Sequence, residues 1–261
     1  MRALSVILSA ASLFAADTPA QIKGREILDQ ALAALGGPKF MAMLDRTETG
    51  RMYTFYREQL NGLAHARLYT LYTAAKQPGA LGQRERQSIG KDKEDYAYLF
   101  MEDEGTQLTF RGARPFPPGQ YERYRETTLR NIFYILRMRM REPGLIVEFK
   151  ENGTFDNYPV ETVEIVDTEN RSVLVSFHRT THLPVRQVFQ RRDPDSKRLI
   201  EEAAVYNKYR ETNGVMWPWS IVRYRDGNRI FELYSSGVVI NNPKLDRNQF
   251  EPGNAKRLKP E

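Results

Sequence analysis

From Tyr158 to Phe250 the chain alternates apolar and polar residues in short runs broken by turn residues. Val160 to Val166 runs into Asp167-Thr168-Glu169-Asn170. Ser172 to Phe177 runs into Thr180-Thr181-His182-Leu183-Pro184. Val185 to Arg191 ends at Asp193-Pro194-Asp195-Ser196, and Leu199 to Tyr209 ends at Asn213-Gly214. Ile221 to Arg225 and Ile230 to Ile240 flank Asp226-Gly227-Asn228. Alternation over strand-length runs, punctuated at this spacing, predicts an antiparallel meander. Asn-Gly and Asp-Gly accept the positive φ of tight hairpin turns, which strengthens the assignment.

The same pattern occurs upstream. Glu48 to Arg57 and Leu63 to Thr73 flank Asn61-Gly62, a hairpin signal, and Lys76-Gln77-Pro78-Gly79 reads as a turn. Leu81 to Ile89 is polar, as an edge or exposed strand would be. Tyr96 to Met101 and Thr106 to Arg111 flank the acidic turn Glu102-Asp103-Glu104-Gly105. Tyr96, Tyr98 and Phe100 alternate with Ala97, Leu99 and Met101, so both faces are apolar. A strand covered on both sides explains this. One cover is a sheet interior; the other is a packed helix, the commoner case, or a ligand.

Two segments carry helical spacing instead. In residues 22 to 35, Ile27, Leu28, Ala31, Leu32 and Leu35 form one stripe. Thr18, Pro19 and Gln21 have the order of a capping box with proline in the first turn. Gly36-Gly37 and Pro38 stop the helix, and Phe40 to Leu44 suit one more turn. A glycine pair at this end meets the negative pole of the helix, which disfavours phosphate. The second segment, Tyr121 to Arg141, is bracketed by Pro115-Phe116-Pro117-Pro118-Gly119 and Pro143-Gly144. Its predicted inner face is Leu129, Ile132, Phe133, Leu136 and Met140. Arg130, Tyr134, Arg137 and Arg141 fall opposite. Such a helix covers a sheet or lies on a membrane surface.

The first residues look like an export signal. Arg2 precedes the apolar run Ala3 to Phe14, and Ala15-Ala16 are small residues suited to cleavage. The run is too short for a spanning helix. Cleavage after Ala16 rather than Ala20 keeps the cap at Thr18. The expectation is a leader over residues 1–16 and one exported domain over 17–261.

Composition removes several chemistries. The 261 residues contain no cysteine, so disulfides, thiolate nucleophiles and thiolate metal sites are absent. The net charge of +6 is spread through interspersed charges of both signs, and no clustered basic motif points to nucleic acid. The histidines are His65, His178 and His182. His178 and His182 have the spacing of a zinc-protease pair, but the intervening residues lack its glutamate and the pair ends a strand. No nucleophile elbow or phosphate loop is present. The expectation is no catalytic residue, no metal and no cofactor.

The order of elements resembles the periplasmic outer-membrane lipoprotein carrier superfamily, the LolA-like proteins. Ala34-Leu35-Gly36-Gly37 before a strand through Thr49-Gly50 is similar to the start of many members. So are His182-Leu183-Pro184-Val185-Arg186, Tyr206-Asn207-Lys208-Tyr209 with Asn213-Gly214-Val215 and Trp217-Pro218, and Asn242 through Phe250-Glu251-Pro252. These are scaffold motifs and span nearly the whole mature chain. The resemblance implies an α+β, mainly β fold: an incomplete, half-open antiparallel β-barrel with helices covering its concave face. It implies a monomeric carrier of lipid or lipoprotein acyl chains, with envelope membrane proteins as further partners. On that reading Tyr53, Phe55, Tyr69, Leu71, Tyr98, Phe100, Leu129, Ile132, Phe133, Leu136 and Met140 line the cavity. Rival readings are an exported structural domain with a filled core, and a hydrolase. A continuous apolar volume under the helices favours the carrier; a cleft with clustered acid, base and nucleophile favours the hydrolase.

Overall fold

A computed structural model describes residues 16–75, 80–90, 95–193, 196–253 and 255. The expected leader, apart from Ala16, lies outside these residues. So do the turn at 76–79 and two residues of the 193–196 turn.

Thirteen strands form one antiparallel sheet: β1 Asp45–Tyr56, β2 Gln59–Tyr72, β3 Gln83–Gly90, β4 Tyr96–Phe100, β5 Gly105–Thr109, β6 Gly112–Pro115, β7 Ile146–Phe155, β8 Tyr158–Val166, β9 Ser172–His178, β10 Pro184–Arg192, β11 Leu199–Thr212, β12 Val215–Arg225 and β13 Asn228–Ile240. Their order is β6-β5-β4-β3-β2-β1-β13-β12-β11-β10-β9-β8-β7. Two meanders therefore meet where β1 pairs with β13, from Arg46 opposite Ile240 to Thr54 opposite Phe231. The outermost strands, β6 and β7, do not pair with each other among the described residues, so the sheet is an open half-barrel. Strands β6 and β7 are consecutive in sequence, and the chain between them crosses the interior.

The first helix, α1 Pro19–Ala34, is capped as its sequence predicts. The Gln21 N–H donates to Thr18 Oγ1 (3.2 Å), and the Thr18 N–H donates to Gln21 Oε1 (2.9 Å). Gly24 lets the helix approach β7, since a Cβ there would lie 2.9 Å from the Phe149 nitrogen. At the far end the Gly37 N–H reaches the Leu32 carbonyl (2.8 Å), and Gly36 has φ +120°. A Cβ on Gly36 would meet the Gly214 carbonyl oxygen at 2.4 Å, so glycine is required twice over. This contact seats α1, and the single turn α2 Pro38–Met41, on the β11–β12 turn.

The core lies between these helices and β7 to β13. Leu28, Leu35, Phe40 and Met43 pack with Ile132, Leu136, Val163, Val175, Phe177 and Trp217. Burying such side chains gives about 1.5–3 kcal/mol each relative to exposure, before entropy is counted.

Four expectations need correction. The first hairpin turns at Arg57 and Glu58, both at positive φ, not at Asn61-Gly62. Asn61 instead forms a bulge opposite Thr54 and Phe55, and its side chain meets Thr54 Oγ1 at 2.8 Å. The polar β3 is interior, between β2 and β4. Its outward arginines are occupied: Arg86 donates to the Gln249 carbonyl (2.8 Å), and Arg84 pairs with Glu102 (2.9 Å) and Glu251 (3.1 Å). They hold the final turn, Arg247–Phe250, against the strand, with Phe250 buried. Strands β6 and β7 lack an apolar-polar alternation that announces them; much of β7 is solvent-facing and polar.

The fourth correction concerns the crossing segment, which is not one helix. Helix α3 Pro118–Leu129 ends at Arg130, and Asn131 is extended (ψ 125°). Asn131 Oδ1 then accepts from the N–H groups of Phe133 and Tyr134 (3.0 and 3.2 Å) and caps α4 Ile132–Tyr134. A π-helical stretch, Ile135–Arg139, follows directly. The break rotates the second half, so the expected polar face is divided: Arg130 and Tyr134 are buried, Arg137 is half-buried and Arg141 stays exposed.

Candidate functional site: an interior cavity

A cavity of about 550 Å³ lies inside the half-barrel, on the side the helical core leaves unfilled. Period 2 decides which side chains reach it. On β1 these are Arg46, Glu48, Met52 and Thr54; on β2, Ala66, Leu68, Thr70 and Tyr72. Strand β3 contributes Gln83, Glu85, Gln87 and Ile89, and β4 contributes Tyr96, Tyr98 and Phe100. The opposite wall is Tyr206 on β11, Trp217, Ile221 and Arg223 on β12, and Phe231 and Leu233 on β13.

Helix α3 spans the cavity. Tyr124 stacks on Phe100 with ring centroids 3.7 Å apart, and its hydroxyl accepts from Gln83 Nε2 (2.9 Å). On the other side the Ile132 N–H donates to Gln187 Oε1 on β10 (2.9 Å). Phe133 closes the bottom, 4.9 Å from the Tyr206 ring and 4.7 Å from the Trp217 ring.

The crossing segment is pinned by charge as well. Arg139 and Arg171 both bind Asp167 Oδ2 (2.8 and 3.0 Å), and Arg171 and Arg130 bind the two oxygens of Glu126 (3.0 and 2.6 Å). Burial alone raises the Asp167 pKa, but the hydrogen bonds from Arg139 and Arg171 outweigh it and hold the carboxyl at about 2. Glu126 is likewise lowered: burial opposes ionisation, and Arg130 and Arg171 override it.

The cavity floor is polar. Arg46 lies 4.1 Å from the Trp217 ring centroid and donates to Thr70 Oγ1 (3.0 Å). Glu48 is buried beside it and accepts from Ser235 Oγ. Burial raises the Glu48 pKa, with Arg46 opposing only in part. Burial also raises Tyr206, whose hydroxyl finds no hydrogen-bond partner among the described residues. The lining thus interleaves apolar side chains with polar ones: Arg46 and Glu48 at the floor, Gln83, Glu85 and Gln87 along β3, and Arg223 and Arg225 toward the other end.

Of the residues expected to line the cavity, Tyr98, Phe100 and Phe133 do so. Tyr53, Phe55, Tyr69 and Leu71 alternate with the inward residues of β1 and β2 and point to the other face. Ile132, Leu136 and Met140 pack into the helical core, and Leu129 packs with Leu81 and Tyr134. Sequence reasoning missed Met52, Leu68, Ile89 and the opposite wall. Both faces of β1 and β2 are apolar near these positions, so alternation leaves the inward side undecided.

The histidine pair is structural in its contacts. His178 Nδ1 accepts from the Thr180 and Thr181 N–H groups (3.1 and 3.3 Å), and His182 sits in the following turn at φ 56°. Among the described residues no three metal-ligating side chains converge, and no helix is long and apolar enough to cross a membrane.

This geometry matches solved structures. A putative outer membrane lipoprotein-sorting protein domain from Vibrio parahaemolyticus superposes with a TM-score of 0.57 at 14% identity, covering 88% of this chain and 97% of that one. A LolA superfamily protein from Nitrosomonas europaea gives 0.53 at 14%, covering 87% and 97%. The fold is LolA-like. A DUF1329 family protein from Desulfovibrio piger superposes on this chain with a TM-score of 0.60 at 10% identity, covering 87% and 97%. No family model and no curated protein matches the sequence. At these identities the likeness is one of fold.

Proposed function

We propose that the chain is an exported periplasmic carrier that holds an amphipathic lipid or acyl chain in the half-barrel. The observation that carries this reading is the cavity. Its volume of about 550 Å³ falls within the roughly 300–1,000 Å³ of small-molecule sites. An apolar body built from Met52, Leu68, Ile89, Tyr98 and Phe231 shields methylenes, each about 0.8 kcal/mol when withdrawn from water. Buried polar groups at the floor suit a ligand with a polar end. The acyl chains of lipoproteins are one source of such a ligand, and envelope membrane proteins would be its donors and acceptors. No chemistry on the ligand is required, and the carrier needs no cofactor.

Native mass spectrometry of the protein purified from the periplasm tests the reading. A mass adduct that dissociates as a lipid supports it. Apoprotein alone, still unable to take up an added fatty acid, refutes it and favours a structural domain.

A further inference from the structure

We propose that the end of the half-barrel where the cavity opens docks on an anionic phospholipid surface. Burial along the cavity shows which end this is. Glu48, Thr70, Tyr206 and Trp217 at the floor are buried, whereas Met52, Thr54, Ile230 and Arg225 at the other end are half-buried or exposed. The antiparallel meander gathers the β1–β2, β5–β6, β10–β11 and β12–β13 turns at that open end.

The β1–β2, β5–β6 and β10–β11 turns present large apolar side chains to solvent. Phe110 is 90% exposed, Tyr56 63%, Leu199 57% and Leu60 56%. Each lies close to the mouth. Phe110 follows Thr109, the partner of cavity-lining Tyr96. Tyr56 is two residues beyond cavity-lining Thr54, and Leu199 precedes Ile200, the partner of cavity-lining Arg191. Scattered exposed apolar residues need no explanation, but a ring of them around one opening does.

Arginine accompanies the ring. Arg57 lies 5.3 Å from the Tyr56 ring, Arg111 5.4 Å from the Phe110 ring and Arg229 4.0 Å from the Phe55 ring. Arg198 precedes Leu199, and Arg192 and Arg225 flank the neighbouring turns. Glu58 and Asp95 oppose them, and Glu232 pairs with Arg229 (3.8 Å) and Glu202 with Arg225 (3.6 Å). Asp193 and Asp226 are engaged locally, accepting from the Ser196 N–H (2.8 Å) and the Glu201 N–H (2.9 Å). Aromatic and aliphatic tips backed by guanidinium groups fit the headgroup boundary, where rings enter the interface and arginines meet lipid phosphate. A bilayer is favoured over a protein groove because the tips stand on separate turns around an opening, with no continuous face between them. The docked mouth would give a hydrophobic ligand a path that avoids water.

The absence of cysteine makes the test direct. Phe110→Cys carrying an environment-sensitive thiol dye is mixed at low salt with vesicles of phosphatidylcholine and phosphatidylglycerol. The expected result is a blue shift that weakens in high salt and in pure phosphatidylcholine. The same dye on Asp156→Cys, in the β7–β8 turn at the opposite end, should not shift. The combined Tyr56→Ser, Leu60→Ser, Leu199→Ser variant should bind vesicles at least about ten-fold more weakly with an unchanged melting midpoint. No shift at position 110, an equal shift at 156, or undiminished binding by the triple variant overturns the proposal. Capture of an envelope protein without vesicle binding overturns it too. Vesicle binding needs no cavity ligand, so this result and the carrier reading can fail separately.

Discussion

Phe133→Ala separates a fixed plug from a movable cover. The ring is 3% exposed and packs edge-on to Tyr206 and obliquely against Trp217. Truncating a core Phe costs about 3–5 kcal/mol, and each aromatic contact contributes about 0.5–1.5 kcal/mol beyond its area. One side of Phe133 already borders the cavity, so the new void merges with existing space. That places the expected loss near the lower end, about 3 kcal/mol. For a chain of this size it corresponds to a fall of roughly 6–12 °C in the melting midpoint. Urea unfolding followed by far-ultraviolet circular dichroism measures it. The segment is tied to β10 by Gln187 and to Asp167 by Arg139, and Arg137 donates to the Met43 carbonyl (2.9 Å). A loss below about 1 kcal/mol, with tighter binding of an acyl probe, would show that the ring yields to ligand and would refute this reasoning.

Three further substitutions probe the parts that position the cavity. Asp167→Asn should destabilise the protein by about 2 kcal/mol at neutral pH, from the shift of 3.8 to about 2. The folded pKa is depressed, so this contribution is present above pH 4 and is lost as pH falls through about 2. The wild type should lose stability across that window and the variant should be flatter, as acid unfolding curves will show. Asn131→Ala removes the cap of α4 and should cost about 1 kcal/mol in urea unfolding. Gly36→Ala meets both a positive φ and the Gly214 carbonyl, and should cost at least about 1 kcal/mol by the same measurement.

Much of the scaffold is written locally. Thr18, Pro19 and Gln21 specify the start of α1, and Asn213-Gly214 and Asp226-Gly227 adopt the positive φ their side chains permit. What fails is set by tertiary partners. Arg57 and Glu58 take the first hairpin turn because a bulge at Asn61 fixes the register, which no turn residue announces. Asn131 falls inside a segment whose apolar positions Leu129, Ile132, Phe133 and Leu136 keep helical spacing across it, so its role as breaker and cap emerges only once Gln187 accepts from the Ile132 N–H. The polar β3 looks exposed because its inward Gln83, Glu85 and Gln87 face a cavity rather than solvent. The inward face of β2 is ambiguous for the same reason: Leu68 and Tyr69 are both apolar, and the sheet decides between them.

That pair gives the most direct test of the account. Leu68→Trp places an indole inside the cavity, and Tyr69→Trp places one on the opposite face of the same strand. Titration of each folded variant with a fluorescent fatty acyl probe should show binding by the wild type and Tyr69→Trp, and at least about ten-fold weaker binding by Leu68→Trp. Equal affinity in all three, or a loss confined to Tyr69→Trp, would contradict the claim that the half-barrel interior holds the ligand.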